Sequence, residues 1–336
     1  MKIRTVYFSP TGGTEKIAKL FSQELSRSIS MMNGRGDAEG EVEYFDITRP
    51  QAREDELSFS RDLVVVAMPT YAGRLPNKIL PDLKRLIKSD GSSIAVAIAV
   101  FGNRSPGDAP RELALLLKEN GFKVVGMNAF VSRHAFSDKV GEGRPDEEDE
   151  KVIKAFAAEI AEKLCGAGDG ARAGAGGGVA DGTGTESEDG AGAGAGDAAS
   201  CAAIEITWDE SDLLPYYTPL KEDLTPASFL KAKPVLDPEK CTGCGICKAS
   251  CPVGSIEEVA IDETTLEETV IKKTMIEESR LDEGKHRGKI VFETPGICIK
   301  CQACIRKCPA GAREFKDEEF LSHVRMLEAK YSGRER

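Results

Sequence analysis

The chain has 336 residues, enough for two domains with connections between them. Its 45 basic and 56 acidic residues leave a net charge of −11, and it carries no basic tract that would suit a nucleic acid backbone. No apolar run approaches the roughly 18 residues of a membrane-crossing helix. The opening MKIRTVYF alternates like a strand and reaches Ser9-Pro10 too soon for the apolar core of a signal peptide, so the expectation is a cytoplasmic protein.

Residues 1–165 read as alternating strands and helices. Strands are predicted over 3–8, 42–47, 63–68, 93–101 and 122–130. The runs LVVVAM and IAVAIAV are continuously apolar, as strands covered on both faces should be. Helical periodicity fills the gaps over 15–29, 78–87, 109–120 and 147–164, with Ile17, Leu20, Phe21 and Leu25 on one face of the first helix. The acidic run from Asp146 to Glu150 reads as the solvated start of the fourth helix. Five strands with intervening helices predict an α/β fold, a doubly wound five-stranded parallel sheet. Such sheets bind ligands at the carboxyl ends of their strands.

Three loops should emerge at that edge. Ser9-Pro10-Thr11-Gly12-Gly13-Thr14 runs from the first strand into a helix, where free N–H groups and the positive end of the helix dipole suit a phosphate. The loop lacks the G-x4-G-K-[ST] and G-x-G-x-x-G patterns. Rich in hydroxyls and free of cations, it better suits a phosphomonoester such as that of FMN. Pro69-Thr70-Tyr71-Ala72-Gly73-Arg74-Leu75-Pro76 follows the third strand and Gly102-Asn103-Arg104 the fourth. His134, after the fifth, could face the cofactor but reads first as a structural or solvent-exposed histidine, and His286 and His323 stand apart from any ligand set.

From 166 to 200 the composition collapses to Gly, Ala, Asp and Ser, which cannot offset the entropy of ordering, so a linker is predicted. Residues 201–234 carry Trp208, Tyr216, Tyr217 and Phe229 and should wrap against a domain surface. Cys165 and Cys201 flank the linker and read as ordinary free thiols.

Residues 235–336 hold the other eight of the ten cysteines, in two copies of C-x2-C-x2-C-x3-C-P. Three thiolates spaced by two residues on a tight loop reach three corners of one 4Fe-4S cube, and the fourth cysteine reaches the other cube. The spacing therefore predicts two interlocked sets, Cys241, Cys244, Cys247 and Cys308 for one cluster, and Cys298, Cys301, Cys304 and Cys251 for the other. Structural zinc prefers two separated C-x2-C pairs, and disulfides need an oxidising compartment. The stretch between Cys251 and Cys298 is longer than a compact two-cluster domain needs. Its centre, 264–287, could be an added helix or hairpin, whether a surface elaboration or a docking element. KIVFE at 289–293 reads as a strand, and 317–331 as a helix with Phe320, Val324 and Leu327 on one side.

The combination S-P-T-G-G-T, P-T-Y-A-G-R-L-P, F-G-N-R and C-T-G-C-G-I-C resembles the EFR-type flavodoxin–ferredoxin fusion proteins across both halves of the chain. The resemblance implies a flavodoxin-like domain with FMN and a small α+β two-cluster ferredoxin domain. It also implies roles: Ser9, Thr11, Gly12, Gly13 and Thr14 around the FMN phosphate, and Pro69, Thr70, Tyr71, Ala72, Gly73 and Arg74 along the isoalloxazine. Gly102, Asn103 and Arg104 would lie at its pyrimidine edge.

Joining clusters to a flavin predicts an electron-transfer protein that converts between one- and two-electron carriers and meets redox partner proteins. Two alternatives remain open, an iron–sulfur sensor or scaffold module, and a flavin-dependent reductase of a small acceptor such as a quinone. No second nucleotide-binding loop is present, which disfavours direct oxidation of NAD(P)H.

Overall fold

A computed structural model describes residues 1–34, 40–169, 202–261 and 289–333. The first region contains β1 (Ile3–Tyr7), α1 (Gly13–Met32), β2 (Val42–Asp46), β3 (Leu57–Phe59), β4 (Leu63–Pro69), α2 (Leu80–Leu86), β5 (Ile87–Ser89), β6 (Ile94–Phe101), α3 (Ala109–Glu119), β7 (Lys123–Val131) and α4 (Glu147–Asp169). Five of these strands pair in parallel in the order β2-β1-β4-β6-β7. Counted within the sheet alone, that order is 2-1-3-4-5, the flavodoxin-like doubly wound arrangement.

The continuous apolar runs are explained by burial on both sides. In β4, Val64, Val66 and Met68 face a core shared with Leu83, Leu86, Leu113 and Leu116 of α2 and α3. Leu63, Val65 and Ala67 face the other core, with Ile17, Phe21 and Leu25 of α1 and Ile153, Phe156 and Ile160 of α4. Each such fully buried side chain contributes about 2 kcal/mol, so the central strands anchor the domain.

The segment from 202 lies on the outer face of α3. The Ile204 N–H donates to the Val124 carbonyl at 2.8 Å, Trp208 Nε1 donates to the Arg111 carbonyl at 3.3 Å, and Ile204, Ile206 and Trp208 pack on the α2–α3 core. Further on, Ala227, Phe229 and Ala232 pack with Phe315 and Phe320. The aromatic stretch thus joins the two regions through packing.

The C-terminal region is a small α+β unit. β8 (Val235–Leu236) pairs antiparallel with β11 (Arg313–Glu314), and β9 (Glu257–Ile261) pairs antiparallel with β10 (Lys289–Glu293). Two four-residue helices, Ile246–Ala249 and Ala303–Arg306, follow the cysteine loops. A final helix, Glu318–Tyr331, starts where the Asp317 carboxylate accepts from the Phe320 N–H at 2.8 Å. Its Met326 and Leu327 pack on Val140.

The sequence reading did not include β3 and β5, which form a separate parallel pair. α4 runs on to Asp169, into the first residues of the predicted linker. The rest of that linker with Cys201, and the 264–287 insertion with His286, lie outside the described residues. The insertion's flanks are β9 and β10.

Candidate functional site

The cysteine region is built as a repeat offset by 57 residues, from Cys241 to Cys298. Each short helix begins after a residue in the left-handed conformation, Gly245 at φ 74° and Gln302 at φ 67°. Gly254 and Gly311 also match, at φ 62° and 58°. The tight loops expose amides to sulfur in the same way in both halves. The Ser255 N–H donates to Cys251 Sγ and the Ala312 N–H to Cys308 Sγ, each at 3.3 Å. Such bonds orient and stabilise thiolate ligands.

The fold brings the eight cysteines together in two sets. One cavity is lined by Cys241, Cys244, Cys247 and Cys308, with Phe292 and Arg313. The other is lined by Cys251, Cys298, Cys301 and Cys304, with Ile256 and Ile299. Each set takes three cysteines from one run and the fourth from the other. A single tetrahedral zinc would draw its sulfurs to about 2.3 Å from one point. Among the described residues no three His, Cys, Asp or Glu side chains converge in that way. Each set supplies the four thiolates that a 4Fe-4S cube takes.

The two cavities differ in exposure. Cys244 is exposed, and the Ile246 N–H holds its thiol below the usual range. Cys301 and Cys304 are buried, which pushes both thiols up, Cys304 to about 12. Burial also raises Cys298 and Cys247. Such thiols surrender their protons only to a metal, so loading a cluster would release protons.

At the carboxyl edge of the sheet, the first loop enters α1 through Gly12 at φ 90°, where an added Cβ would meet nothing within 4 Å. Ser9 Oγ accepts from the Glu15 N–H at 2.9 Å, and the Ser9 N–H donates to Thr48 Oγ1 at 2.8 Å. The first-turn amides of a helix have no backbone partners within it; here Ser9 Oγ takes the Glu15 N–H, and Gly12 leaves open space beside the remaining ones, as a phosphate would need. In the second loop, Ala72 and Gly73 both have positive φ, 52° and 79°, and Tyr71 and Arg74 exchange backbone bonds across this tight turn. The Thr70 hydroxyl is buried without a hydrogen-bond partner among the described residues, as a group awaiting a ligand would be.

Two side chains expected at this edge are engaged elsewhere. Arg74 pairs with Glu112 at 2.8 Å and donates to the Leu214 carbonyl at 2.8 Å. Asn103 Nδ2 donates to the carbonyls of Tyr331 and Gly333, each at 2.8 Å, and its oxygen accepts from Arg144 at 2.7 Å. Both can shape the edge only through their backbone. Arg104 stacks 3.8 Å over the Tyr217 ring. His134 packs against Gly102, and its Nδ1 accepts from the Phe136 N–H at 3.1 Å. Burial, then His323, Arg104 and Arg306, lowers its pKa to about 3.

Residues 237–312 match the family model of the 4Fe-4S dicluster domain. That region is similar to a 4Fe-4S dicluster domain, and it stands beside a sheet with the flavodoxin-like strand order. No curated protein matches it. Among solved structures, it is similar to a flavodoxin from the domain Archaea, with 20% identity and TM-score 0.29 over 48% of this chain and 98% of that one. It is also similar to the flavodoxin of Streptococcus pneumoniae TIGR4, with 19% identity and TM-score 0.33 over 49% and 100%. A third is the rubredoxin oxygen:oxidoreductase of Desulfovibrio gigas, with 18% identity and TM-score 0.30 over 48% and 35%. The dicluster domain gives the chain a redox electron-transfer role. Among the described residues no helix is long and apolar enough to cross a membrane.

The dicluster domain sits on the sheet edge. Val253 and Ile299, beside Cys251 and Cys298, pack on the α2–α3 core. Tyr71 lies within electrostatic reach of Cys301 and Cys298; its phenol is raised first by burial and then by these two sulfurs. Arg306 donates to the carbonyls of Ala135 and His134 at 3.0 and 3.2 Å and to Asp138 at 2.7 Å. Sequence reasoning missed Arg306, Arg53 and Arg313, because each acts through residues far away in the chain.

Proposed function

We propose that the chain relays electrons between two 4Fe-4S clusters and FMN. Cys241, Cys244, Cys247 and Cys308 would hold an outer cluster, and Cys251, Cys298, Cys301 and Cys304 an inner one. FMN would lie at the sheet edge, with Ser9, Thr11, Gly12, Gly13 and Thr14 around its phosphate. Thr70, Tyr71, Ala72 and Gly73 would line its ring, with Gly102 and the Arg104 backbone at the far rim. When bound, clusters exchange single electrons and a flavin one or two, which suits conversion between the two kinds of carrier.

One observation supports the reading: Tyr71 lies within electrostatic reach of Cys301 and Cys298, and Val253 and Ile299 beside the cysteines pack on the core under the flavin loops. Exposed Cys244 marks the side on which a partner protein would exchange electrons. The buried inner set would pass them on. The Tyr217 N–H donates to the Ala72 carbonyl at 2.8 Å and the Tyr217 ring lies under Arg104, so the connecting segment is tied to two of the flavin loops. Because the ligand thiols must stay reduced to take up iron, the proposed compartment is the cytoplasm.

Anaerobic reconstitution with iron, sulfide and FMN tests the reading. About eight iron atoms and about one FMN per chain are expected. Iron without flavin would favour the sensor or scaffold alternative, and zinc in place of iron would refute both.

A further inference from the structure

The repeat in the dicluster domain is broken at one buried position. Counting by the same offset that relates Cys241 to Cys298, Arg313 occupies the place of Ile256. Ile256 is buried at 4% exposure and lines the inner cavity, as an apolar residue should. Arg313 is buried at 3% and lines the outer cavity. Its Nη1 donates to Thr294 Oγ1 at 3.0 Å and its Nη2 to the Phe292 carbonyl, while its Nε has no hydrogen-bond partner. Among the described residues no carboxylate pairs with it. A guanidinium taken out of water without an anion is costly. The groups within electrostatic reach that would become negative on taking up a cluster are sulfurs: Cys247 of the outer set, which lines the same cavity as Arg313, and Cys304 of the inner set, whose cavity Arg313 does not line.

We propose that Arg313 is the buried counter-charge of the outer cluster, making that cluster the easier of the two to reduce. This rests on the two-cluster reading above. Four thiolates around a cubane leave the site negative, and reduction adds one further electron. A fixed cation at the cavity wall stabilises that added charge and so raises the potential. The inner cavity has Ile256 at the matching place and is not lined by Arg313, so it gains less. The consequence is a built-in order in which the outer cluster fills first and the inner one, beside Tyr71, fills second.

The test is an anaerobic redox titration of the full reconstituted chain, followed by electron paramagnetic resonance, for wild type, Arg313→Ile and Arg313→Lys. Wild type should show two separated transitions. Arg313→Ile, which installs the repeat's own residue, should move the higher transition down and narrow the gap, while Arg313→Lys stays near wild type. If Arg313→Ile fails to retain the outer cluster while Arg313→Lys retains it, the charge is still the operative feature. The proposal is overturned if neither transition moves at full iron and sulfide content, or if the lower transition moves more. It is also overturned if Arg313→Lys behaves like Arg313→Ile, by potential or by loss of the cluster, which would make the role one of packing. Iron missing from wild type would instead sink the cluster reading itself.

Discussion

Arg53 and Pro252 are joined by a 2.6 Å hydrogen bond from Nη2 to the carbonyl. This bond fastens the loop after Cys251 to the turn that follows β2. Arg53 is 4% exposed and also donates to the carbonyls of Ile47 and Thr48 at 2.8 and 2.9 Å, with Asp82 at 2.8 Å from its Nε. One guanidinium therefore binds both regions. Arg53→Met should destabilise the chain by about 3 kcal/mol, because it strands several buried carbonyls. Denaturant unfolding checks this, and a change under about 0.5 kcal/mol would show that the docking does not depend on it.

The crossed cysteine sets predict a specific partition of iron. Cys308→Ser should impair the outer cluster and spare the inner, although Cys308 belongs to the second run. Cys251→Ser should do the reverse. Each variant is expected to keep about half of the wild-type iron. Were Cys308→Ser to damage the cluster held by Cys298, Cys301 and Cys304, the interlocked assignment would be wrong.

Asn103 is buried at 1% and its amide is fully used on Tyr331, Gly333 and Arg144. Asn103→Ala should lower stability by about 2 kcal/mol and loosen the final helix. FMN affinity should change less than about threefold. A large loss of flavin affinity with unchanged stability would return this side chain to the ring.

Gly102 leaves no room for a side chain. An added Cβ would lie 2.5 Å from His134 Cδ2 and 2.8 Å from its Cα, and backbone cannot yield as a flexible side chain can. Gly102→Ala should cost about 1–3 kcal/mol through overpacking and weaken FMN retention. A variant that melts like wild type would mean the loop moves freely.

His134 sets a pH dependence. Its pKa falls from 6.5 to about 3 on folding, because burial and nearby His323, Arg104 and Arg306 disfavour the charged form. Between those values the unfolded chain binds the extra proton, so stability declines as pH falls below 6.5, by at most about 1.4 kcal/mol per pH unit. The difference between wild type and His134→Gln isolates this contribution from that of the cysteines. Wild type should lose more stability on acidification, and parallel curves would contradict the assignment.

Much of the fold was legible because its signals are local. LVVVAM and IAVAIAV announce strands covered on both sides, and the cysteine spacing announces its own crossed geometry. β3 and β5 escaped because three residues carry no periodicity. The Arg74 and Asn103 side chains misled because a polar residue in a ligand loop looks alike whether it faces a ligand or a neighbour 38 or 228 residues away. Arg313 was invisible for a related reason. Nothing beside it in sequence reports that β11 carries it into the wall of a cysteine cavity.

The most direct test of the relay is rapid mixing of the loaded chain with a one-electron reductant, following cluster and flavin absorbance together. The account predicts that the flavin bleaches after the clusters, at a rate independent of chain concentration, because the proposed cluster and flavin loops belong to one chain, with Tyr71 within electrostatic reach of Cys301. Flavin reduction that slows in proportion as the chain is diluted, or that ignores the state of the clusters, would contradict it.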